Sequence, residues 1–498
     1  MKKMNEKFRN LIIFEMANNH QGDVSHGLEI IRFLGEAARK YQINAAVKFQ
    51  YRDLDTMIHP DFIKRTDVKH IPRFLSTRLT KDEFYTMVKA VREQGMLTMC
   101  TPFDEKSVDL CMDHGIDIIK IASCSATDWP LLEKVASTQR PVIISTGGKS
   151  FSEMDNIYNF LTHRSVDFAM LHCVGLYPVG YEFVQLGCID KMKDRYPDVP
   201  IGYSGHEDPA DYTIAQMAVA KGADILERHV GLATDTIKLN SYSTDVRNIG
   251  NWIEAILNAR KICGEKDHKF ISNEELTSMN ELARGCYAAV PIHKGEEIQR
   301  SQVFFAMPCA DGQTTSGSFL PGMVASRDYL VNEALYEKRP VSLTSDTRSI
   351  IHDVKGMLYE AKIAVGNEFE LELSHHYGLE HFRNYGATII NIINREYCKK
   401  LIIILPGQKH PMHFHKVKEE SFQVLYGTLS LVLDGKEMEV NAGQVITVER
   451  GTPHAFTSKE GCIFEEVSTT HVKNDSYYED EKISKLDLMQ RKTILEDW

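Results

Sequence analysis

The sequence predicts an α/β protein, a (β/α)₈ barrel followed by two β-rich domains, and three observations lead there. Residues 10–265 alternate short apolar runs with amphipathic helical stretches through eight β-then-α units. After a charged segment, GEKDHKFISNEEL (264–276), the texture changes to short β-type runs and Gly/Ser/Thr-rich turns such as DGQTTSGSFLPG. From about residue 350 to 470 nearly every apolar run alternates with a period of two.

Taken in order, the candidate barrel strands are LIIFEMA (11–17), AAVKFQY (45–51), LTMCTPF (97–103) and DIIKIAS (117–123), then PVIISTG (141–147), DFAMLHC (167–173), PIGYSGH (200–206) and DILERHV (224–230). Helical periodicity separates most of them, as in LEIIRFLGEAARKY and DEFYTMVKAVREQG. A doubly wound open sheet is the alternative, but the chain has no Gly-rich dinucleotide fingerprint. The barrel domain is therefore 1–265. A small β-rich domain follows at 277–346, with runs such as CYAAVPI and VFFAMP. Runs such as KLIIILP, SFQVLYGTLSLVLDG and MEVNAGQVITVERG make 350–475 a sandwich or small barrel. Residues 476–498 read as a short helical or partly mobile tail.

Composition narrows the function. The 498 residues are 43% hydrophobic and 26% charged, which is ordinary globular usage and room for two to four domains. No apolar run reaches eighteen residues, so a membrane span is not expected. The N-terminus lacks a long apolar core and cleavage site, and ten cysteines occur without a CxxC pair. Both features point to reduced thiols in a cytoplasmic enzyme. A net charge of −11 argues against nucleic-acid binding, so any anionic substrate needs local positive charge.

In such a barrel the chemistry sits at the C-terminal strand ends. These carry Glu15, then Lys48 and Gln50, Thr101, Lys120 and Ser123, Ser145, Tyr177, Ser204 and His206, and finally Glu227 and His229. A lone Ser or Thr there is usually a cap, and a lone His is usually structural. Lysines inside apolar strands are harder to dismiss, because lysine is almost never buried without a partner. Lys48 and Lys120, with hydroxyls from Thr101, Ser123 and Ser145, would form an anion pocket. His206 and His229 on adjacent strands could share a divalent ion with open positions, and Glu15 is an acid/base candidate.

These residues lie in IFEMANNHQG, AVKFQ, CTPFD, IKIASCS, ISTGG, LHCVGLYP, YSGHE and ILERH, which resemble the sialic acid (nonulosonic acid) synthase family in order and over nearly the whole barrel. Residues 277–346, with AVPIHKGEEI, look like the antifreeze-like SAF domain of that family. The resemblance implies condensation of phosphoenolpyruvate with an aldose, a Mn²⁺-type metal on His206 and His229, and a domain-swapped homodimer. It implies that Lys120, Thr101, Ser123 and Ser145 hold the phosphate, and that Lys48, Tyr177 and Ser204 hold the carboxylate. Glu15 would be the acid/base, while Gln50 and Asn240 line the substrate site. Three departures concern mainly the sugar: Gly175, Asn240 and Met307 stand where the family commonly has Asn, Asp and Arg.

Residues 407–454 read Gly407-x₅-His413-x-His415-x₄-Glu420-x₆-Gly427, then Gly443-x₅-Glu449-x-Gly451-x₂-His454. This resembles the paired motif of cupins, with Glu449 in place of the usual Pro. The resemblance implies a second divalent metal (Mn, Fe, Ni or Zn) on His413, His415, Glu420 and His454. The flanking text is similar to cupin sugar isomerases, so an active cupin and a purely structural one both stay open. Two other functional readings also compete with the synthase. One is a Schiff-base pyruvate aldolase on Lys120 or Lys48. The other is a sugar-binding or isomerising cupin protein with an inactive barrel.

Overall fold

The computed structural model describes residues 5–68, 70–266, 269–339, 342–366, 368–472, 474–496 and 498. Residues 267–268 of the predicted linker and 340–341 of the predicted small domain lie outside this set. The chain forms two compact units, residues 1–270 and 271–498.

The first unit is a closed barrel. Its strands are β1 (Ile12–Glu15), β2 (Ala45–Tyr51), β3 (Leu97–Pro102), β4 (Ile118–Ile121), β5 (Val142–Ser145), β6 (Phe168–Cys173), β7 (Ile201–Gly205) and β8 (Ile225–Gly231). They pair in parallel in chain order, and β1 closes on β8. All eight lie within the runs expected from sequence, except that β8 extends one residue further, to Gly231. The intervening helices start where the sequence supplies caps. Asp23 accepts from the Ser25 and His26 N–H groups ahead of Val24–Tyr41, and Thr80/Glu83 and Ser150/Glu153 form reciprocal capping boxes. On Val24–Tyr41, Ile30, Ile31, Leu34 and Ala38 fall on one face and are buried against the strands.

Because strand side chains alternate, the barrel interior is layered. Phe8, Leu11, Ile13, Ala46, Met99, Ile143, Leu171 and Ile225 form an apolar cluster in the barrel. Two residues further along the strands the apolar positions give way to polar ones: Ile13 to Glu15, Ala46 to Lys48, Ile118 to Lys120, Ile143 to Ser145 and Ile225 to Glu227. The register sets Glu15 opposite Lys48 on one side and opposite His229 on the other. This switch from apolar to ionised side chains is what positions the site.

The second unit begins with helix Asn273–Leu282, capped by Ser272, so the charged linker is partly helical. Strands Gly285–Ala288 and Val303–Ala306 pair antiparallel, as do Glu297–Ile298 and Met323–Val324, around a small core that includes Ile292, Ile298, Phe319 and Tyr329.

A sheet of eleven strands follows, and it differs from expectation at both ends. Residues 343–360 are a helix, Leu343–Glu360, rather than strand. Ile350, Val354, Met357 and Leu358 recur at helical spacing and are buried in one of its cores. The tail from residue 476 carries the expected short helix, Glu481–Ser484, but it also adds two strands to the sheet. Ser476–Tyr478 pairs with Lys409–His415, and Lys492–Leu495 pairs with Glu370–Ser374. The Trp498 indole N–H donates to the Phe369 carbonyl (2.9 Å). The long strand Glu420–Leu433 has a register irregularity near Val424–Tyr426. It pairs first with Cys462–Thr469 and Val445–Val448, then with Lys436–Asn441 and His454–Thr457. A strand shared in this way curls the sheet around Ile402, Phe422, Phe456 and Phe464.

All ten cysteines are unpaired. Among the described residues no helix is long and apolar enough to cross a membrane.

Candidate active site and metal centre

At the top of the apolar layer, four ionisable side chains meet without solvent. The Lys48 ammonium lies 2.6 Å from Glu15 Oε2 and 2.7 Å from Glu227 Oε1. Lys120 donates to Glu227 Oε2 at 3.0 Å, and the Ser204 hydroxyl donates to Glu227 Oε1 at 2.8 Å. Two cations and two anions, each at most 5% exposed, form a closed charge balance. Burial alone would lower the Lys48 pKa, yet Glu15 and Glu227 raise it. Burial would raise Glu227, but Lys120 and Lys48 overcome it and push the carboxyl well down. Lys120, with Glu227 as its only carboxylate and Lys48 repelling it, is pushed down to about 8 by burial. Burial also raises Glu15, against the pull of Lys48.

Lysine has three donors. Lys48 directs two at carboxylates, whereas Lys120 directs one, so Lys120 keeps more capacity for an entering anion. Thr101 and Ser145 are buried. Ser123 Oγ accepts the Gly147 N–H at 2.9 Å, and Gln50 bridges Glu15 (3.4 Å) and the Arg52 guanidinium (2.7 Å).

The two histidines form a neighbouring pair, with ring centroids 5.3 Å apart. Burial lowers His206 to about 4 and His229 to about 3, so both are neutral. His206 Nδ1 lies 3.0 Å from the Val174 carbonyl, which can only accept, so its Nε2 carries a free lone pair. His229 Nδ1 is buried without a hydrogen-bond partner among the described residues. Neutral imidazoles with an orphaned ring nitrogen fit a divalent ion. Tyr177 packs on His206 (4.1 Å), and Tyr242 sits edge-on to His229 (5.1 Å). Asn240 is exposed, and its side chain accepts the Tyr242 N–H at 3.1 Å, so it shapes the turn that presents Tyr242.

In the second unit, His413, His415 and His454 offer ligand atoms that all lie within 4.8 Å of one another, the only such group of three or more among the described residues. Their Nδ1 atoms face backbone carbonyls of Pro411 (3.1 Å), Asp475 (2.8 Å) and Thr452 (3.0 Å). Each Nδ1 therefore carries a proton, which leaves each Nε2 as the atom available to a metal. Glu420 Oε1 is paired with Lys418, which also holds Glu466 at 2.9 Å. Among the described residues Glu420 Oε2 has no hydrogen-bond donor, and it faces His454 Nε2 at 3.3 Å. A carboxylate oxygen and an imidazole nitrogen at that distance are suited to sharing a cation, a metal ion or a proton. The donor set, three nitrogens and one carboxylate oxygen, fits a first-row divalent metal.

Residues 36–268 match the NeuB family, and residues 400–465 match the cupin domain. A solved structure described as a putative spore coat polysaccharide biosynthesis protein E from Chromobacterium violaceum is 40% identical. It matches 65% of this chain and 97% of that one, with a TM-score of 0.63. The chain belongs to the NeuB family. Among its other relatives is human N-acetylneuraminate-9-phosphate synthase, 31% identical over 44% of this chain and 62% of that protein. The N,N'-diacetyllegionaminic acid synthase of Legionella pneumophila is 27% identical over 64% of this chain and 89% of that protein.

Within this NeuB-family barrel the structure brings together Glu15, Lys48, Lys120, Ser204, His206, His229 and Tyr177, and it leaves Asn240 on an exposed turn. Sequence reasoning noted Glu227 as a strand end but gave it no role. The signal was available: two buried lysines require a buried carboxylate. Arg52, stacked over Phe74 (4.1 Å) and Phe103 (3.9 Å), was missed, as was Tyr242. In the cupin domain, Lys418 and Glu466 were missed beside the four predicted ligands.

Proposed function

We propose that the barrel joins phosphoenolpyruvate to an aldose to give a 2-keto-3-deoxy sugar acid of the nonulosonic type, with release of phosphate. One observation carries this reading: the charge-balanced pair of lysines and glutamates beside two neutral imidazoles, in a family whose relatives include enzymes named as sialic-type acid synthases. Lys120, Thr101, Ser123 and Ser145 take the phosphate. The remaining donor of Lys48, with Tyr177 and Ser204, takes the carboxylate. Glu227 keeps both ammonium groups charged and fixed, so they need no reorganisation as charge moves in the reaction. His206 and His229 would hold a divalent ion such as Mn²⁺, which when bound would supply Lewis acidity toward the sugar aldehyde. The enol carbon C3 bonds to the aldehyde carbon, water adds at C2, and the C2–O bond to phosphate breaks. Glu15, whose carboxyl burial pushes up against the pull of Lys48, moves the proton at the reacting centre.

The acceptor depends on a part of the mouth where this chain departs from its family. A side chain at Gly175 would meet nothing within 4 Å, so the glycine leaves open space beside the site. The acceptor proposed is therefore an aldose of the N-acetylmannosamine type or another hexose derivative, with the open space at Gly175 available to a different substituent. Residues 277–346 as an SAF-type cap over the partner's barrel in a domain-swapped homodimer, and a cytoplasmic location, complete the reading. A divalent metal on His413, His415, Glu420 and His454 is part of it as well.

The test is phosphate release from phosphoenolpyruvate over a panel of aldoses, with Mn²⁺ and after chelation. Sugar-dependent, chelator-sensitive release is expected, and Lys120→Met should lower it by roughly 10²–10³-fold. The depressed pKa of Lys120 favours a second reading, a Schiff-base aldolase on pyruvate. Borohydride trapping of pyruvate on Lys120, without release of phosphate from phosphoenolpyruvate, would establish that reading instead.

A further inference from the structure

The cupin cavity contains a lysine that the metal site does not use. The cavity encloses ≈ 390 Å³, within the range of roughly 300–1,000 Å³ usual for small-molecule sites. Lys418 is neutralised by Glu420 and Glu466, and Lys492 by Glu372 at 2.9 Å. Lys400, on strand Tyr397–Ile404, lines the same cavity and is only 6% exposed. Among the described residues it makes no ion pair, and its one hydrogen bond is a long 3.5 Å contact to His471 Nδ1. Burial and the nearby lysines hold His471 near 3, so it is neutral and supplies no counter-charge. Glu466 lies directly across from Lys400 on the neighbouring strand and, against burial, its carboxyl is held down by both Lys418 and Lys400. Its short contacts go to the Lys418 ammonium and the Ser468 hydroxyl, and none goes to Lys400.

A buried lysine that faces a cavity, with no carboxylate at ion-pair distance among the described residues, keeps ammonium donors for an entering anion. The rest of the lining restricts which anion. Glu370 and the Lys492-paired Glu372 also border the cavity; their oxygens accept hydrogen bonds from hydroxyl groups, and their presence favours a singly charged ligand over a phosphate dianion. A single carboxylate attached to a hydroxylated chain satisfies both demands. We propose that the cupin domain binds a small hydroxylated carboxylic acid, its carboxylate paired with Lys400 and its hydroxyls directed at Glu372 and the histidine centre. The class includes the acids that the barrel would release, but the proposal rests on the cupin cavity and its metal site alone.

The experiment compares D-gluconate with sorbitol, which share a six-carbon hydroxylated chain and differ in the carboxylate. Both are titrated calorimetrically into the full-length, Mn²⁺-loaded protein. Gluconate should bind at least roughly tenfold more tightly than sorbitol, and Lys400→Met should remove that preference while bound manganese stays unchanged. Lys400→Arg should retain it, which separates loss of charge from loss of folding. Lys120→Met, which disables the barrel's anion pocket, should leave gluconate binding intact. Equal affinity for the two ligands, unchanged gluconate affinity in Lys400→Met, or loss of binding in Lys120→Met would each overturn the proposal.

Discussion

The barrel and the cupin domain each bury a lysine between two glutamates, yet the two arrangements end differently. In the barrel, Lys48 joins Glu15 and Glu227, and Glu227 also receives Lys120 and Ser204, so both of its oxygens are taken. In the cupin domain, Lys418 joins Glu420 and Glu466, but Glu420 Oε2 is left facing a bare imidazole nitrogen. A saturated carboxylate is a counter-ion, whereas one with a free buried oxygen is a candidate ligand. The same pair of residue types therefore serves electrostatic balance in one unit and metal binding in the other. What distinguishes them is the atom left over.

The sharpest way to break this comparison is to remove the saturated member. Glu227→Gln leaves Lys48 with one carboxylate and Lys120 with none, deep in the barrel. Breaking a buried pair in this way costs about 3–5 kcal/mol, so the barrel transition in urea should move to markedly lower denaturant and phosphate release should vanish. A variant with wild-type stability would show that the barrel tetrad is not the closed charge balance described.

Removing the unsaturated member should give the opposite pattern. Glu420→Ala takes away one ligand, and cupin metal affinity should fall by at least the roughly 10–100-fold that even outer-shell partners cost. Competition with a chelator measures it, while phosphate release by the barrel stays at the wild-type rate. Unchanged metal affinity would reduce Glu420 to a partner of Lys418 and erase the contrast with Glu227.

The two units also differ in how much of them the sequence made legible. The barrel strands were readable because parallel strands are buried on both faces and appear as near-continuous apolar runs. Lys48 and Lys120 stood out against that background. Their shared counter-ion did not, since Glu227 lies 179 residues from Lys48 and 107 from Lys120, and no local pattern links them. In the second unit the paired motif exposed His413, His415, Glu420 and His454. Lys400 was hidden because KKLIII reads as an ordinary strand with a solvated end, and only the fold shows that this lysine points inward. Helix Leu343–Glu360 was overlooked because its apolar residues are spread through a polar segment. The edge strand Lys492–Leu495 was overlooked because four residues are too short to show alternation.

The smallest effect concerns acid rather than metal, and it separates the two units by their unpaired imidazoles. His376 is 1% exposed, and neither ring nitrogen has a hydrogen-bond partner among the described residues. Burial lowers it to about 3, reinforced by Arg491, Lys492 and His375, and its ring stands edge-on to His410 at 4.6 Å. The unfolded chain takes up a proton near pH 6.5, whereas the folded chain does not until about 3. Between those values the unfolded state binds more protons, so stability falls as pH drops below about 6.5, by at most ~1.4 kcal/mol per pH unit for this group. His376→Phe keeps the ring shape and removes the titration. In calorimetric scans of the metal-free protein at pH 7 and pH 5, the cupin transition of the variant should lose less temperature on acidification than that of the wild type. The barrel transition should keep its full acid loss, because it contains its own buried imidazole, His20, lowered to about 4 by burial. If His376→Phe leaves the acid loss of the cupin transition unchanged, His376 is already charged or hydrated in the folded protein, and its two unpaired nitrogens do not weaken the domain in acid.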